Sequence, residues 1–234
     1  MSEGRHASRP SRKPALIVGG LVAVLVIGVV VVILAGGGDG AAGIIPGIGG
    51  DDGPVTPEFA FETTKVLAVP TRLDVTPEEL KPQAEPAAQE IETLMDTLYL
   101  EAFFDVDNWQ EGTYDEVWPL FEDAAAAEAE ADAATLTAGT GAGDAFDEIE
   151  PGLAQLKTKV LLNHKDAPVS VVAVVIFRAT GRGKDGAPDV LMQSNGQFTF
   201  RQVDGEWRIV AFHVQRDDEE QTPSASATPS TEPS

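Results

Sequence analysis

Val169-Ser-Val-Val-Ala-Val-Val-Ile-Phe177, followed by Arg178, is the stretch on which the reading of the fold turns. It is apolar almost throughout, β-branched at most positions, and bounded by turn-forming runs at Lys165 to Pro168 and Gly181 to Gly186. A short, continuous apolar run between such signals predicts a strand at the centre of a sheet, covered on both faces. Its neighbours extend the pattern. Leu153 to Leu162, Val190 to Arg201 and Trp207 to Arg216 each read with a period near two, and Asp204-Gly205 is a tight-hairpin dipeptide between the last pair. The connections are too short for parallel crossovers, so four antiparallel strands are expected.

Upstream of Pro151 the period changes to that of a helix. Pro82 and Pro86 suit a helix start, and Ile91, Leu94, Met95, Leu98, Ala102 and Phe103 recur at spacings of three and four. Asp105 to Trp109 reads as a break, Tyr114 to Phe121 as a short helix and the Ala- and acid-rich run Glu122 to Leu136 as another. Gly139, Gly141 and Gly143 are expected to stop it. Helices followed by an antiparallel meander define an α+β domain spanning residues 59–216.

Charge divides the same region. Glu85 to Glu150 holds 19 acidic residues and no Lys or Arg, whereas Pro151 to Arg216 holds nine basic and five acidic residues. Exposed ion pairs between the halves contribute only about 0 to 1 kcal/mol each, so burial must hold the fold. The whole chain, 234 residues with a formal charge of −22, has no clustered cations with which to neutralise phosphates, which excludes nucleic acid as a partner. It has no cysteine, which excludes disulfides, thiolate metal sites and a Cys nucleophile.

Outside the domain, Ala15 to Ala35 is a run of 21 residues without a charged, polar or proline side chain. As a helix it would span about 31 Å, the thickness of a hydrocarbon core. Fifteen of the 21 are Leu, Ile or Val, giving an insertion term of about −5 to −9 kcal/mol. A cleaved secretory signal is the competing reading, and Ile33 stands where the small residue before a cut at Ala35 belongs. Arg5, Arg9, Arg12 and Lys13 precede the run and Asp39, Asp51 and Asp52 follow it, which predicts a cytoplasmic N-terminus. The expected organisation is a basic cytoplasmic segment (1–14), a single transmembrane helix (15–35), a Gly-rich flexible linker (36–58), the extracytoplasmic domain (59–216) and a disordered tail rich in Ser, Thr, Pro and acid (217–234).

A long first helix carrying Leu98, Tyr99 and Phe103, two shorter helices, and a last strand with Gly205, Trp207, Arg208, Ile209 and Phe212 resemble the nuclear transport factor 2-like superfamily, which includes the ketosteroid isomerase-like and SnoaL-like proteins. With its membrane segment, tether and tail the chain looks like membrane-anchored actinobacterial members of that group, some associated with Mce transporters. The resemblance covers about Ala84 to Arg216. It implies helices on a curved, cone-like sheet, used in some members as a catalytic pocket and in others as a binding or assembly surface.

Candidate chemistry reduces to three residues. His6 falls in the cytoplasmic segment and His164 in a turn, leaving His213 on the last strand as the one histidine placed to act as a pocket base, with Trp207, Ile209 and Ala211 as its alternation partners. Tyr99 on the first helix and Asp107 after it are the acid and base that isomerase-like relatives would need. Asp105-Val-Asp107-Asn108-Trp109-Gln110 begins like a calcium loop, but Trp109 and Gln110 occupy its fifth and sixth positions, where a ligand and Gly belong. Gly139-Thr-Gly141-Ala-Gly143-Asp144 lacks both the last Gly of a dinucleotide loop and a preceding strand. No metal or cofactor is expected. Two functions of different class follow: a non-catalytic, membrane-anchored domain that holds an apolar ligand or an envelope protein, possible as a homodimer and accessory to a transporter, or a small-molecule isomerase or lyase using His213, Tyr99 and Asp107.

Overall fold

The computed structural model describes residues 54–221. The expected transmembrane helix, the cytoplasmic segment, most of the linker and residues 222–234 lie outside this range. Among the described residues no helix is long and apolar enough to cross a membrane. The elements run β1 (Glu62–Val69), α1 (Lys81–Tyr99), one π-helical turn (Leu100–Phe104), α2 (Val106–Glu111), α3 (Asp123–Ala131), α4 (Ala133–Leu136), α5 (Ala142–Ala145), β2 (Phe146–Leu162), β3 (Pro168–Gly183), β4 (Asp189–Val203) and β5 (Glu206–Gln221).

Helix α1 forms as its period requires. Ala84, Ala87, Ala88, Ile91, Met95, Leu98 and Tyr99 are buried on one stripe, and Pro82 sits in the first turn, where a missing N–H costs nothing. The helix then widens into the π turn, closed by the Asp105 amide donating to the Leu100 carbonyl at 2.7 Å. Widening changes the angle between residues, so Ala102, Phe103 and Phe104 all enter the core in succession. The expected break at Asp105 to Trp109 is confined to Asp105. Its carboxylate accepts from the Asn108 amide at 3.0 Å and starts α2, which ends at Gly112 in the left-handed region. Tyr114 to Phe121 is a turn and one 3-10 turn (Trp118–Leu120) rather than a helix, and Glu122 to Leu136 is divided between α3 and α4. The glycines around Gly141 also serve packing. A Cβ on Gly143 would stand 2.3 Å from the Gln110 carbonyl, so α5 can lie against α2 only without one.

The sheet has five strands in the order β1-β2-β3-β4-β5 and is mixed, where four antiparallel strands were expected. β2 to β5 form the predicted meander, and β1 pairs parallel to β2 with Leu67 beside Lys159 and Val69 beside Leu161. A parallel neighbour needs a long crossover, and the whole helical half of the domain provides it. All four meander strands are longer than their apolar cores. β5 continues through Asp217 to Gln221, which had been assigned to the tail, because each of those residues has a partner on β4.

Two irregularities decide what faces where. Bulges in β2 between Pro151 and Ala154 and near both of its ends bend the sheet. On β5 the register slips between Ile209, opposite Phe200, and Ala211, opposite Thr199, leaving Val210 as the extra residue. Trp207 and Ile209 are buried before it, and Phe212, Val214 and Arg216 are the more buried residues after it. A slip of one residue exchanges the two faces for everything downstream.

Helices α1 to α5 and the core they enclose lie on one face of the sheet. β3 is central, as expected, but its covering is one-sided. Val171, Ala173, Val175, Phe177 and Ala179 are buried against the helices, whereas Val172, Val174 and Ile176 on the opposite face are half-buried.

Candidate functional site

The space between α1 and the sheet is where a pocket of the expected kind would lie, and aromatic rings fill it. Tyr99 makes edge contacts with Phe61 (5.0 Å between centroids) and Phe198 (6.4 Å), stacks on Phe103 (5.5 Å) and tilts against Phe177 (4.8 Å). Phe59, Phe104 and Phe103 close the other side of Phe177. Pairs at these distances contribute about 0.5 to 1.5 kcal/mol each beyond their area. The first strand is fastened to this cluster by the Phe61 amide donating to Asp96 Oδ1 at 2.7 Å.

Two polar groups reach into the apolar interior. The Tyr99 hydroxyl lies 3.4 Å from Ser194 Oγ on β4, with both residues buried. Burial pushes the Tyr99 phenol well above its usual range, with Ser194 partly opposing the shift, so it stays neutral and able to donate. Arg216, 12% exposed at its side chain, sits 5.7 Å over the Phe103 ring, donates to the carbonyls of Ala134 and Thr137, and pairs with Asp218. With Tyr114, whose hydroxyl donates to the Gly139 carbonyl at 2.9 Å, it pins the segment after α4 to the sheet. Thr158 is fully buried and its hydroxyl has no partner among the described residues.

The three sequence candidates are not brought together. Tyr99 is interior, Asp107 is exposed in the first turn of α2, and His213 is exposed on the outer face of the sheet. The Val210 bulge is the physical reason for the last placement, since Trp207 and Ile209 predict an inward His213 only if alternation runs unbroken. Ser194 was missed although β4 advertises it: Met192, Ser194, Phe198 and Phe200 alternate as one buried face. Arg216 carries no such signal, because its inward direction also depends on the bulge. Among the described residues no group of three His, Asp or Glu side chains is placed to hold a metal ion.

The outer face of the sheet is built differently. Register places Lys65, Lys157, Val174, Gln197 and His213 in one row across it, and Leu67, Lys159, Val172, Thr199 and Ala211 in the next. Among the described residues Lys65, Lys157, Lys159 and Arg201 form no ion pair. Toward the other end of the same face lie Glu148, Glu150, Asp217 and Glu219, with Arg182 held between Glu150 and Asp189 at 2.6 Å each.

No protein-family model matches the chain, and no curated protein matches it. A crystal structure of a candidate scytalone dehydratase from Novosphingobium aromaticivorans DSM 12444 superposes with a TM-score of 0.40 at 15% identity, covering 61% of this chain and 92% of that one. Likeness of that degree assigns neither a family nor an activity.

Proposed function

We propose that the chain is a membrane-tethered, extracytoplasmic binding and assembly module of the nuclear transport factor 2-like type, working through the outer face of its sheet rather than through a catalytic pocket. The observation that carries this reading is the contrast between an interior closed by interlocking rings around Tyr99 and an outer face that keeps Val172, Val174 and Ile176 half-buried beside lysines that form no ion pair among the described residues. Patches that mix exposed apolar area with charge are where soluble domains meet partners. The apolar run at 15–35 and the basic residues before it supply the tether.

A photo-crosslinking side chain at Val174 in the full-length chain tests the face, with the same probe at exposed Asp107 as control. Capture of a protein from Val174 and not from Asp107 is expected, and equal capture from both would overturn the reading. Protease added to intact cells tests the topology: the C-terminal domain is expected to be digested, and its survival would overturn the tether.

The Tyr99 and Ser194 pair favours a second reading, an isomerase or lyase acting on a small apolar molecule, since a neutral buried phenol can protonate or hold a carbonyl oxygen. A small molecule retained through native purification and lost in Tyr99→Phe would carry it.

A further inference from the structure

We propose that one corner of the domain, where β1 and β2 meet the loop at Leu73, docks on a surface of anionic lipid, with Leu73 entering the bilayer interface; this rests on the reading of the chain as membrane-tethered.

Two independent observations meet at this corner. The first is charge. Register sets Lys65 directly beside Lys157 and Leu67 beside Lys159 on the outer face, and Lys157 and Lys159, two residues apart on one strand, point the same way. Like charges at opposed positions repel and weaken a sheet. Among the described residues none of the three lysines has a carboxylate within ion-pair distance. Lys165, exposed in the turn that follows β2, makes a fourth cation. The acids at the same end are already engaged, since Arg72 holds Asp74 at 3.6 Å and Asp166 at 3.5 Å. Glu62 lies beyond the irregularity between Thr63 and Lys65, beside Gln155.

The second observation is apolar exposure. Leu73 is fully exposed, more so than any other large apolar side chain among the described residues. The Arg72 bridge to Asp166 sets its loop against the turn between β2 and β3, next to Lys165. Val69 and Leu161, paired across β1 and β2, add exposed aliphatic surface beside Leu67 and Lys159. An aliphatic tip ringed by lysines has the chemistry of a lipid contact: the tip enters the acyl boundary while the ammonium groups meet phosphates.

The acid-rich half, Glu85 to Glu150, is repelled by the same surface, so charge orients the domain as well as docking it. The proposed anchor keeps that surface within range, because residues 36–53 allow at most about 60 Å of reach at ~3.3 to 3.6 Å per residue. Strands β3 to β5 keep their outer positions for the partner proposed above.

The chain has no cysteine, so one substitution gives a unique label in the full-length protein. Thr71→Cys, exposed in the same loop, carries an environment-sensitive fluorophore, and the protein is reconstituted into bilayers holding lipid spin-labelled near the glycerol end of its acyl chain. In phosphatidylcholine mixed equally with phosphatidylglycerol, a blue shift and quenching are expected, and high salt should reverse both. In phosphatidylcholine alone neither is expected, and a label at exposed Asp107 should stay unquenched in both. Replacing Lys157 and Lys159 together by Gln should weaken docking roughly 20-fold, since each lysine near an anionic surface strengthens association about fivefold. Leu73→Ser should weaken it roughly tenfold. An unchanged melting temperature separates lost contact from misfolding.

Equal quenching with and without phosphatidylglycerol, or quenching untouched by both sets of substitutions, would overturn the docking. So would a Thr71 label that stays in water while a label at Leu34→Cys, in the apolar run, is quenched; the tether would then stand without the contact. If neither label is quenched, the tether fails as well. A photo-crosslinking side chain at Thr71 that captures an acidic protein in native membranes, with no quenching in the reconstituted bilayer, would overturn lipid in favour of protein at this corner.

Discussion

Ile176 and Phe177 are neighbours on one strand and stand in different worlds. Phe177 is 1% exposed, with Tyr99, Phe103, Phe104 and Phe59 around its ring, while Ile176 is half-buried among Gln155, Asn195 and, beyond them, Gln215. Both are large and apolar, so hydrophobicity alone does not separate them. What separates them is whether the chain itself supplies a cover. The inner face has become a solid core, and the outer face has kept the composition of a core without the second layer.

The comparison breaks most completely at the Val210 bulge. Inserting one alanine between Ala211 and Phe212, just beyond the bulge, should shift the alternation on β5 by one residue, turning Phe212, Val214 and Arg216 outward and His213 inward. Several buried contacts are lost together, including the Phe121 to Phe212 edge contact at 5.7 Å and the Arg216 bonds. The expected result is loss of cooperative thermal unfolding, read by circular dichroism. A variant with a native-like transition would mean that the two faces of β5 are interchangeable.

Single substitutions on either side of β3 sharpen it. Phe177→Ala should cost about 3 to 5 kcal/mol, as large-to-small changes in a packed core do. Ile176→Ala should cost about 1 kcal/mol or less in folding yet abolish crosslinking through the outer face. Denaturant midpoints measure the first and capture by the photo-crosslinking side chain at Val174 the second. Equal destabilisation by both would place a hidden cover over Ile176 within the chain.

Much of this division was legible in the sequence. The stripe from Ile91 to Leu98 named a helix, the turn residues Lys165 to Pro168 and Asp204-Gly205 named hairpins, and Val169 to Phe177 named the central strand. The rest was hidden for physical reasons. β1 lacks alternation strong enough to announce itself and pairs across about ninety residues. The π turn lets Phe103 and Phe104 enter the core side by side, which no 3.6-residue period allows. The bulge placed His213 outside, because a one-residue slip leaves no trace in composition.

Arg216 tests how far the inner core depends on a cation that reaches into it. Its guanidinium lies over Phe103 and donates to the carbonyls of Ala134 in α4 and Thr137 just after it, bonds made by a charged donor and worth about 1.5 to 3 kcal/mol together once water exchange is counted. Arg216→Ala should lower stability by about 2 kcal/mol. Arg216→Lys should recover little, since a compact ammonium cannot bridge both carbonyls while stacking on the ring. Chemical denaturation measures both, and full recovery by Lys would show that charge alone is required.

The smallest expected effect lies at the seam between β1 and the core. Asp96 on α1 is half-buried and accepts from the Phe61 amide. Desolvation holds its carboxyl above the usual range, the Phe61 hydrogen bond opposes this, and nearby Glu92 adds to it. The folded chain therefore keeps this proton to higher pH than the unfolded chain does. The stability it contributes is complete below the ordinary carboxyl value and is lost as pH rises through the raised one. Asp96→Asn keeps an oxygen for the Phe61 amide and carries no charge. Its melting temperature should match that of the unmodified chain in acid and exceed it above the raised value, by on the order of 1 to 2 °C because solvent screens a half-exposed group. A variant less stable at neutral pH would show that the charge, rather than the hydrogen bond alone, fastens β1 to the aromatic core.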